Sequence, residues 1–282
     1  MTDTATQPLV SVIIPCFNTA KYLPETLDSL FAQTLQDFEV IAVDDGSTDN
    51  TLDMLNKYKE KHANLTVISQ KNSYCIIARM NAIRRATGKY LVCLDSDDKL
   101  HPDYLKKCVS VAEQDESISI VYSDVQLFGR KNQLWQPQFK MKDFLLNNGI
   151  YITALIRKSH FDKVGGFDTD LGMYEDWDLF ISIIKDGGIP YKIPETLFFY
   201  RQREDSSSVC NTATKQKKSD NMLKIYNKHY NLYKENGLFF HDMMESFIKD
   251  RERKIRHYNM PLRKLYYRIF KPHRYALLYP VD

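Results

Sequence analysis

No run of about 18 apolar residues occurs in this chain of 282 residues, so no membrane-spanning helix is expected. Residues 1–7 are polar and contain neither a basic cluster nor an apolar stretch, so no signal peptide is expected either. Cysteine is scarce: Cys16, Cys75, Cys93, Cys108 and Cys210 lie far apart, and no two form a CxxC pair. That argues against a zinc site and for a reducing, cytoplasmic setting. The seven histidines are scattered too and suggest no ligand set. Internal repeats and low-complexity segments are absent. So are the glycine signatures GxGxxG and GxxxxGK[ST] that cradle phosphates through backbone amides.

What is present is ordinary in bulk and uneven in distribution. Hydrophobic residues make up 43% and charged residues 27%, as in a globular protein large enough for one sizeable core. The net charge of +3 conceals an acidic body and a basic end. Residues 215–282 hold 16 Lys and Arg against 7 Asp and Glu, whereas residues 1–214 hold 23 against 29. The expected division is therefore a body over 1–214 and a basic helical extension over 215–282, the latter suited to an anionic surface.

Apolar runs at 10–15, 38–43, 65–69, 90–94 and 118–122 read as buried strands. Between them, 22–33, the stretch through Leu52, Leu55 and Tyr58, 76–86 and 105–112 carry apolar residues at helical spacing. Strand alternating with helix four times predicts an α/β fold with a mostly parallel sheet flanked by helices. Residues 124–160 show no period and read as an irregular, ligand-facing region. A helix is expected over 174–185, strands at 191–193 and 197–200, and helix from residue 215 onward.

The fourth strand ends in Asp95-Ser96-Asp97-Asp98. Three carboxylates within four residues repel one another unless water, donors or a cation face them. Asp44 and Asp45 end the second strand, and Pro15 and Phe17 end the first. Parallel strands bring those ends to one edge of the sheet, where ligands of open α/β folds collect. The chemistry this suits is Mg²⁺ or Mn²⁺ carrying phosphate oxygens, against the alternative of a solvated acidic turn. An EF-hand loop is excluded for want of its glycine and terminal glutamate. A phosphatase motif is disfavoured because Asp98 and Lys99, rather than Thr or Val, follow Asp97.

Taken in order, VSVIIPCFN at 10–18, VDDGSTD at 43–49, ATGKYLVCLDSDD at 86–98, GGFD at 165–168, ED at 175–176 and YRQR at 200–203 resemble the inverting glycosyltransferases of family 2. The resemblance covers about residues 10–208. It implies a GT-A (Rossmann-like) sheet and transfer of a sugar from a nucleotide-diphosphate donor, UDP-linked by preference, to a glycan or lipid-linked hydroxyl. By the same resemblance Asp45 contacts the base, with Pro15 and Phe17 lining its pocket, and Asp44 either joins them or caps its own turn. Asp97 reaches the ribose or the metal, and Asp98 holds Mn²⁺ or Mg²⁺. Asp95 anchors the loop, and Arg79 assists the diphosphate or is a surface arginine. Asp176 is the base that takes the acceptor proton, kept anionic by its helix N-terminus, and Glu175 positions the acceptor. Trp177, Arg201 and Arg203 are candidate acceptor contacts, Trp177 equally a core residue. Four positions depart from the family pattern: Tyr74 stands where glycine is usual, Met80 where asparagine, Ser182 where arginine and Arg203 where histidine. A non-catalytic nucleotide-sugar-binding or scaffold domain of the same fold is the rival reading.

In the extension, Leu262, Leu265, Tyr266, Ile269 and Phe270 share one helical face flanked by Arg263, Lys264, Arg268 and Lys271. This predicts either an interfacial helix at the inner face of the plasma membrane or packing on the body or a second subunit. A stripe of Phe239, Phe240, Met243, Met244, Phe247 and Ile248 predicts internal packing or a homodimer. No nucleic-acid-binding module is present, and no nucleic-acid partner is expected.

Overall fold

The computed structural model describes residues 7–204, 213–245 and 260–278, with positions 249, 252 and 256. Its centre is β1 (Val10–Cys16), buried at every residue. A strand covered on both faces has no polar side to alternate with, which is why it reads as a continuous apolar run. It pairs in parallel with β2 (Phe38–Asp44), which pairs in parallel with β3 (Leu65–Ser69). On its other side lies β4 (Tyr90–Cys93), also parallel. Gly88 precedes β4 because a Cβ there would stand 2.6 Å from the Ser11 backbone nitrogen. The amide of Gly88 donates to Ser11 Oγ at 2.8 Å instead.

Helices α1 (Leu23–Phe31), α2 (Thr51–Lys59), α3 (Cys75–Ile83) and α4 (Tyr104–Ala112) form the connections. The apolar positions Leu23, Leu27 and Leu30 of α1 are wholly buried at helical spacing. Among the described residues the sheet has nine strands, in the order β3-β2-β1-β4-β8-β6-β9-β5, with β7 paired to β6. Here β5 is Lys99–Leu100, β6 Ile118–Gly129, β7 Gln133–Trp135, β8 Leu155–Arg157 and β9 Ile189–Gln202. Six strands run the same way; β5, β7 and β8 run against them.

The reading of 124–160 as irregular needs correction. That segment finishes β6 and supplies β7, α5 (Met141–Leu146), β8 and the start of α6 (Lys158–Lys163). Three-residue β8 is inserted antiparallel between β4 and β6, in the middle of the sheet. A buried strand of three residues is too short to show a period, so only its partners define it. The two strands expected at 191–193 and 197–200 are one strand, β9, whose register against β6 shifts near Asp124.

Helix α7 (Glu175–Lys185) follows the Gly165-Gly166 turn, and α8 (Lys215–Lys228) comes later. The chain divides into compact units Met1–His229 and Tyr230–Asp282, so α8 belongs with the body and the boundary falls beyond residue 214. The reason is electrostatic. Asp178, wholly buried on α7, accepts from Lys228 Nζ at 2.7 Å and contacts His229 Nε2 at 2.8 Å. The second unit contains helices Tyr230–Glu235, Pro261–Phe270 and Pro272–Leu278. Among the described residues no helix is long and apolar enough to cross a membrane. Phe247 and Ile248 of the second apolar stripe lie outside the described residues, and Phe239, Phe240 and Met244 are exposed. Cys16, Cys93 and Cys108 are buried free thiols; burial pushes Cys93 up to about 12, leaving it an inert apolar group. Cys210 lies outside the described residues.

Candidate functional site

The ends of β1 and β2 form the first wall. Cys16 and Asp44 are direct partners across the pair, and the Asp45 amide donates to the Cys16 carbonyl at 2.8 Å. Asp44 and Asp45 are both buried. The Asp44 carboxylate accepts a long 3.4 Å contact from the Ser47 amide, the turn-capping geometry of an aspartate, while its carbonyl accepts from the Gln70 amide at 2.9 Å. Asp45 Oδ1 accepts from Gln70 Nε2 and from the Ser73 amide, each at 2.8 Å. Those bonds tie β2 to the loop after β3. Pro15 is buried in β1, and Phe17 beyond it is 46% exposed at the mouth. Asn18, at φ 51°, turns the chain here and accepts from the Thr48 amide at 2.8 Å.

The acidic loop after β4 forms the floor. Asp95 accepts from Arg79 of α3 at 2.7 Å. The other terminal nitrogen of Arg79 donates to Glu175 of α7 at 2.6 Å. Arg79 is only 5% exposed, so the surface reading does not describe it. It is an internal bridge between two carboxylates. Asp97 Oδ2 accepts from Arg203 Nε at 2.6 Å, and its carbonyl accepts from Arg201 Nε at 2.7 Å. Asp98 Oδ1 accepts from the Arg201 amide at 2.7 Å. The Arg201 side chain also reaches Glu25 at 3.0 Å and lies over the rings of Phe128 (4.4 Å) and Tyr22 (5.0 Å). Arg201 and Arg203, expected to meet the acceptor, therefore clamp the end of β9 onto the acidic loop.

The remaining oxygen of Asp98, Oδ2, is buried and accepts no hydrogen bond. Burial, then the neighbouring Asp97 and Asp95 charges, pushes the Asp98 carboxyl well above its usual range. Burial also raises Asp97, though Arg203 opposes it. An acidic loop with an orphaned, destabilised oxygen fits a divalent cation. Among the described residues no three His, Cys, Asp or Glu side chains are grouped to hold a metal by themselves. The donor set suits an ion bound through one or two carboxylates and completed by phosphate oxygens and water.

Helix α7 forms the third wall. It starts after Tyr174, at φ 65°, which turns Glu175 toward Arg79. Asp176 Oδ1 accepts from the Trp177 amide at 2.8 Å, and Oδ2 from Asn148 Nδ2 at 3.1 Å. Burial, then the Glu175 charge, raises the Asp176 carboxyl to about 7; the Trp177 amide, Arg79 and Asn148 oppose this. Sequence reasoning expected the helix terminus to dominate, and burial outweighs it. Trp177 is 4% exposed and donates its indole N–H to the Phe144 carbonyl at 2.8 Å. It packs in the core and offers no acceptor platform, so its position corrects that expectation. Asn148 was not anticipated from the sequence. It sits in an aperiodic Asn-Asn-Gly stretch that reads as a turn, and nothing local marks it. Gln70, Ser73 and Glu25 are equally unmarked.

A cleft of about 450 Å³ opens between β7 and α5, lined among others by Tyr122, Trp135, Gln136, Phe139, Phe144 and Asn147. Asn147 and Gly149 line it on either side of Asn148 in the chain.

The family model for glycosyl transferase family 2 matches residues 11–167. A chondroitin synthase from Escherichia coli is 31% identical over 193 residues, 66% of this chain but 27% of that protein. The chain thus spans about a quarter of the length of that relative. A PGL/p-HBAD biosynthesis glycosyltransferase from Mycobacterium bovis is 33% identical over 174 residues, 61% of this chain and 68% of that protein. Among solved structures, S. aureus TarS 1-349 in complex with UDP-GlcNAc superposes with a TM-score of 0.63 at 22% identity, covering 79% of this chain and 73% of that one. Mannosyltransferase PcManGT from Pyrobaculum calidifontis, in complex with GDP-Man and Mn²⁺, gives 0.59 at 21% identity, covering 80% and 65%. These likenesses show the GT-A fold.

Proposed function

The chain belongs to glycosyl transferase family 2, and from that premise we propose that it transfers a sugar, with inversion, from a nucleotide-diphosphate sugar to an acceptor hydroxyl. The observation that carries this reading is Asp176. Its carboxyl, raised to about 7, sits at the head of α7 beside Glu175, which Arg79 bridges to Asp95 at the end of β4. A base poised near the working pH is the most effective proton acceptor. As the acceptor oxygen bonds to the anomeric carbon, its proton passes to Asp176. The bond from that carbon to the β-phosphate oxygen breaks on the opposite face, and its electron pair leaves with the nucleoside diphosphate. Base and leaving group on opposite faces give inversion.

In this reading Asp45, with Pro15 and Phe17, receives the base, and Asp44 supports that turn. Asp97 and Asp98 face the ribose and diphosphate. A bound Mn²⁺ or Mg²⁺ supplies charge stabilisation for the departing diphosphate. Glu175, held by Arg79, fixes the approach to Asp176. A UDP-linked donor is favoured by the TarS complexes with UDP and UDP-GlcNAc, and the relatives that build polysaccharides favour a glycan or lipid-linked acceptor. The test is release of nucleoside diphosphate from a panel of nucleotide sugars with Mn²⁺. Full turnover by both Asp176→Asn and Asp98→Ala would reject these roles and favour a binding or scaffold domain.

For the extension we infer contact with an anionic membrane, at the inner face of a plasma membrane if the protein is cytoplasmic. Leu265, Tyr266, Ile269 and Phe270 on the helix Pro261–Phe270 are exposed. Arg263, Lys264, Arg268, Lys271 and Arg274 accompany them, and residues 260–278 hold no acidic residue. Apolar area plus basic flanks binds such surfaces. Removing residues 258–282 should lower binding to vesicles rich in anionic lipid. Unchanged vesicle binding, or a change of oligomeric state alone, would point instead to a subunit contact.

A further inference from the structure

We propose that the cleft between β7 and α5 is the acceptor subsite, and that it takes a neutral pyranose, a hexose or N-acetylhexosamine bearing no carboxylate or phosphate. This rests on the transfer reading above and names the second substrate of that site.

Three observations carry it. The first is connection to the base. Asn148, between the lining residues Asn147 and Gly149, donates to Asp176 Oδ2 at 3.1 Å. The carbonyl of Phe144, another lining residue, holds the Trp177 indole at 2.8 Å. Cleft wall and base thus share one hydrogen-bonded frame, so a sugar seated in the cleft is held in fixed relation to Asp176. The second is chemistry. The half-buried rings of Trp135 and Phe139 offer apolar faces to the C–H faces of a pyranose. The amides of Gln136, Gln138 and Asn147 offer both donors and acceptors for its hydroxyls. About 450 Å³ lies within the range of small-molecule sites, about 300–1,000 Å³.

The third is charge. Among the described residues Asp143 is the one charged residue lining the cleft. Lys140 and Lys142 neighbour it in the chain but do not line the cleft, and Lys192 is paired with Asp124 at 2.6 Å behind Gln136. A uronate or phosphosugar would meet a carboxylate with no cation among the described lining residues to offset it, so like-charge repulsion selects against it.

The chain contains two tryptophans, and Trp177 is buried, so Trp135 reports the cleft. Methyl β-glucoside, methyl N-acetyl-β-glucosaminide and methyl β-glucuronide are titrated onto the full chain, with UDP and Mn²⁺ present, while tryptophan emission is followed. The neutral glycosides should give saturable changes, with the glucuronide at least about tenfold weaker, a difference of about 1.4 kcal/mol. Trp135→Phe should abolish the signal, and Gln136→Ala should weaken neutral binding at least about tenfold. Leu134→Ala, at an exposed position outside the lining, should bind as the parent does. Absence of a saturable change, glucuronide binding as tight as the neutral glycosides, or a response unaltered in both cleft variants would overturn the proposal. Emission reads the cleft whether or not a donor turns over. Failure to cleave any nucleotide sugar therefore counts against the transfer reading, not against the subsite.

Discussion

Arg79 and Glu175, far apart in the chain, meet at 2.6 Å in the interior, and the same guanidinium reaches Asp95 at 2.7 Å. This bridge fixes the ED helix to the acidic loop. Removing the cation would leave the largely buried Glu175 carboxylate unpaired, at a cost of up to about 3–5 kcal/mol, while Asp95, 32% exposed, would regain water. Arg79→Leu should lower the denaturant midpoint accordingly and depress turnover. Arg79→Lys should recover part of the stability, since an ammonium supplies charge but cannot make both bonds in one plane. A wild-type midpoint in Arg79→Leu would show that the bridge does not hold the site together.

Activity should rise with pH and level off above about 7, where Asp176 is deprotonated. Asp176→Asn should reduce kcat by about 10²–10⁴-fold and remove that limb. Stability runs the other way. The native carboxyl keeps its proton up to about 7 while the unfolded one loses it near the ordinary aspartate value of 3.8. The folded state binds more protons across that window, so stability declines as pH rises through it. Asp176→Asn should flatten that part of a melting-temperature profile. An unchanged slope would mean that burial does not perturb this carboxyl.

Asp98→Asn separates the two uses of one side chain. The amide oxygen still accepts from the Arg201 backbone, while the charge facing a cation is gone. Its melting temperature should hold or rise at neutral pH, because burial disfavours the native carboxylate. Mn²⁺-dependent stabilisation by UDP should fall at least about tenfold in apparent affinity. Retained Mn²⁺ dependence would exclude Asp98 as a ligand.

Tyr74 adopts φ 72° and ψ 152° at the entry to α3, a region that only glycine occupies without strain, and is 82% exposed. The strain there is about 1–3 kcal/mol, less the ~0.5–1 kcal/mol that glycine's extra freedom costs on folding. Tyr74→Gly should therefore stabilise the fold by about 1 kcal/mol and raise Tm by about 2–4 °C. A lower Tm would mean that the ring makes compensating contacts.

Much of this architecture is legible in the amino-acid sequence. The runs at 10–15, 38–43, 90–94 and 118–122 are strands because they are buried on both faces, and continuous apolarity is the mark of that. The acids at 44–45 and 95–98 belong on one edge because parallel strands end together. Where the reading failed, pairing or burial made the decision. Three-residue β8 carries no period of its own, and Trp177 looks the same in a core as on a platform.

The amino-acid sequence by itself determined the family, the order of strands and helices, and which acids crowd the carboxyl edge of the sheet. These follow from local periodicity and from motifs whose spacing is linear. Tertiary structure alone decided that Arg79 is internal, that Arg201 and Arg203 clamp the acidic loop, that α8 belongs with the body, and that Asn148 stands beside Asp176. Each of those depends on groups separated by tens to more than a hundred residues, and on loss of water around charge, which no local pattern records.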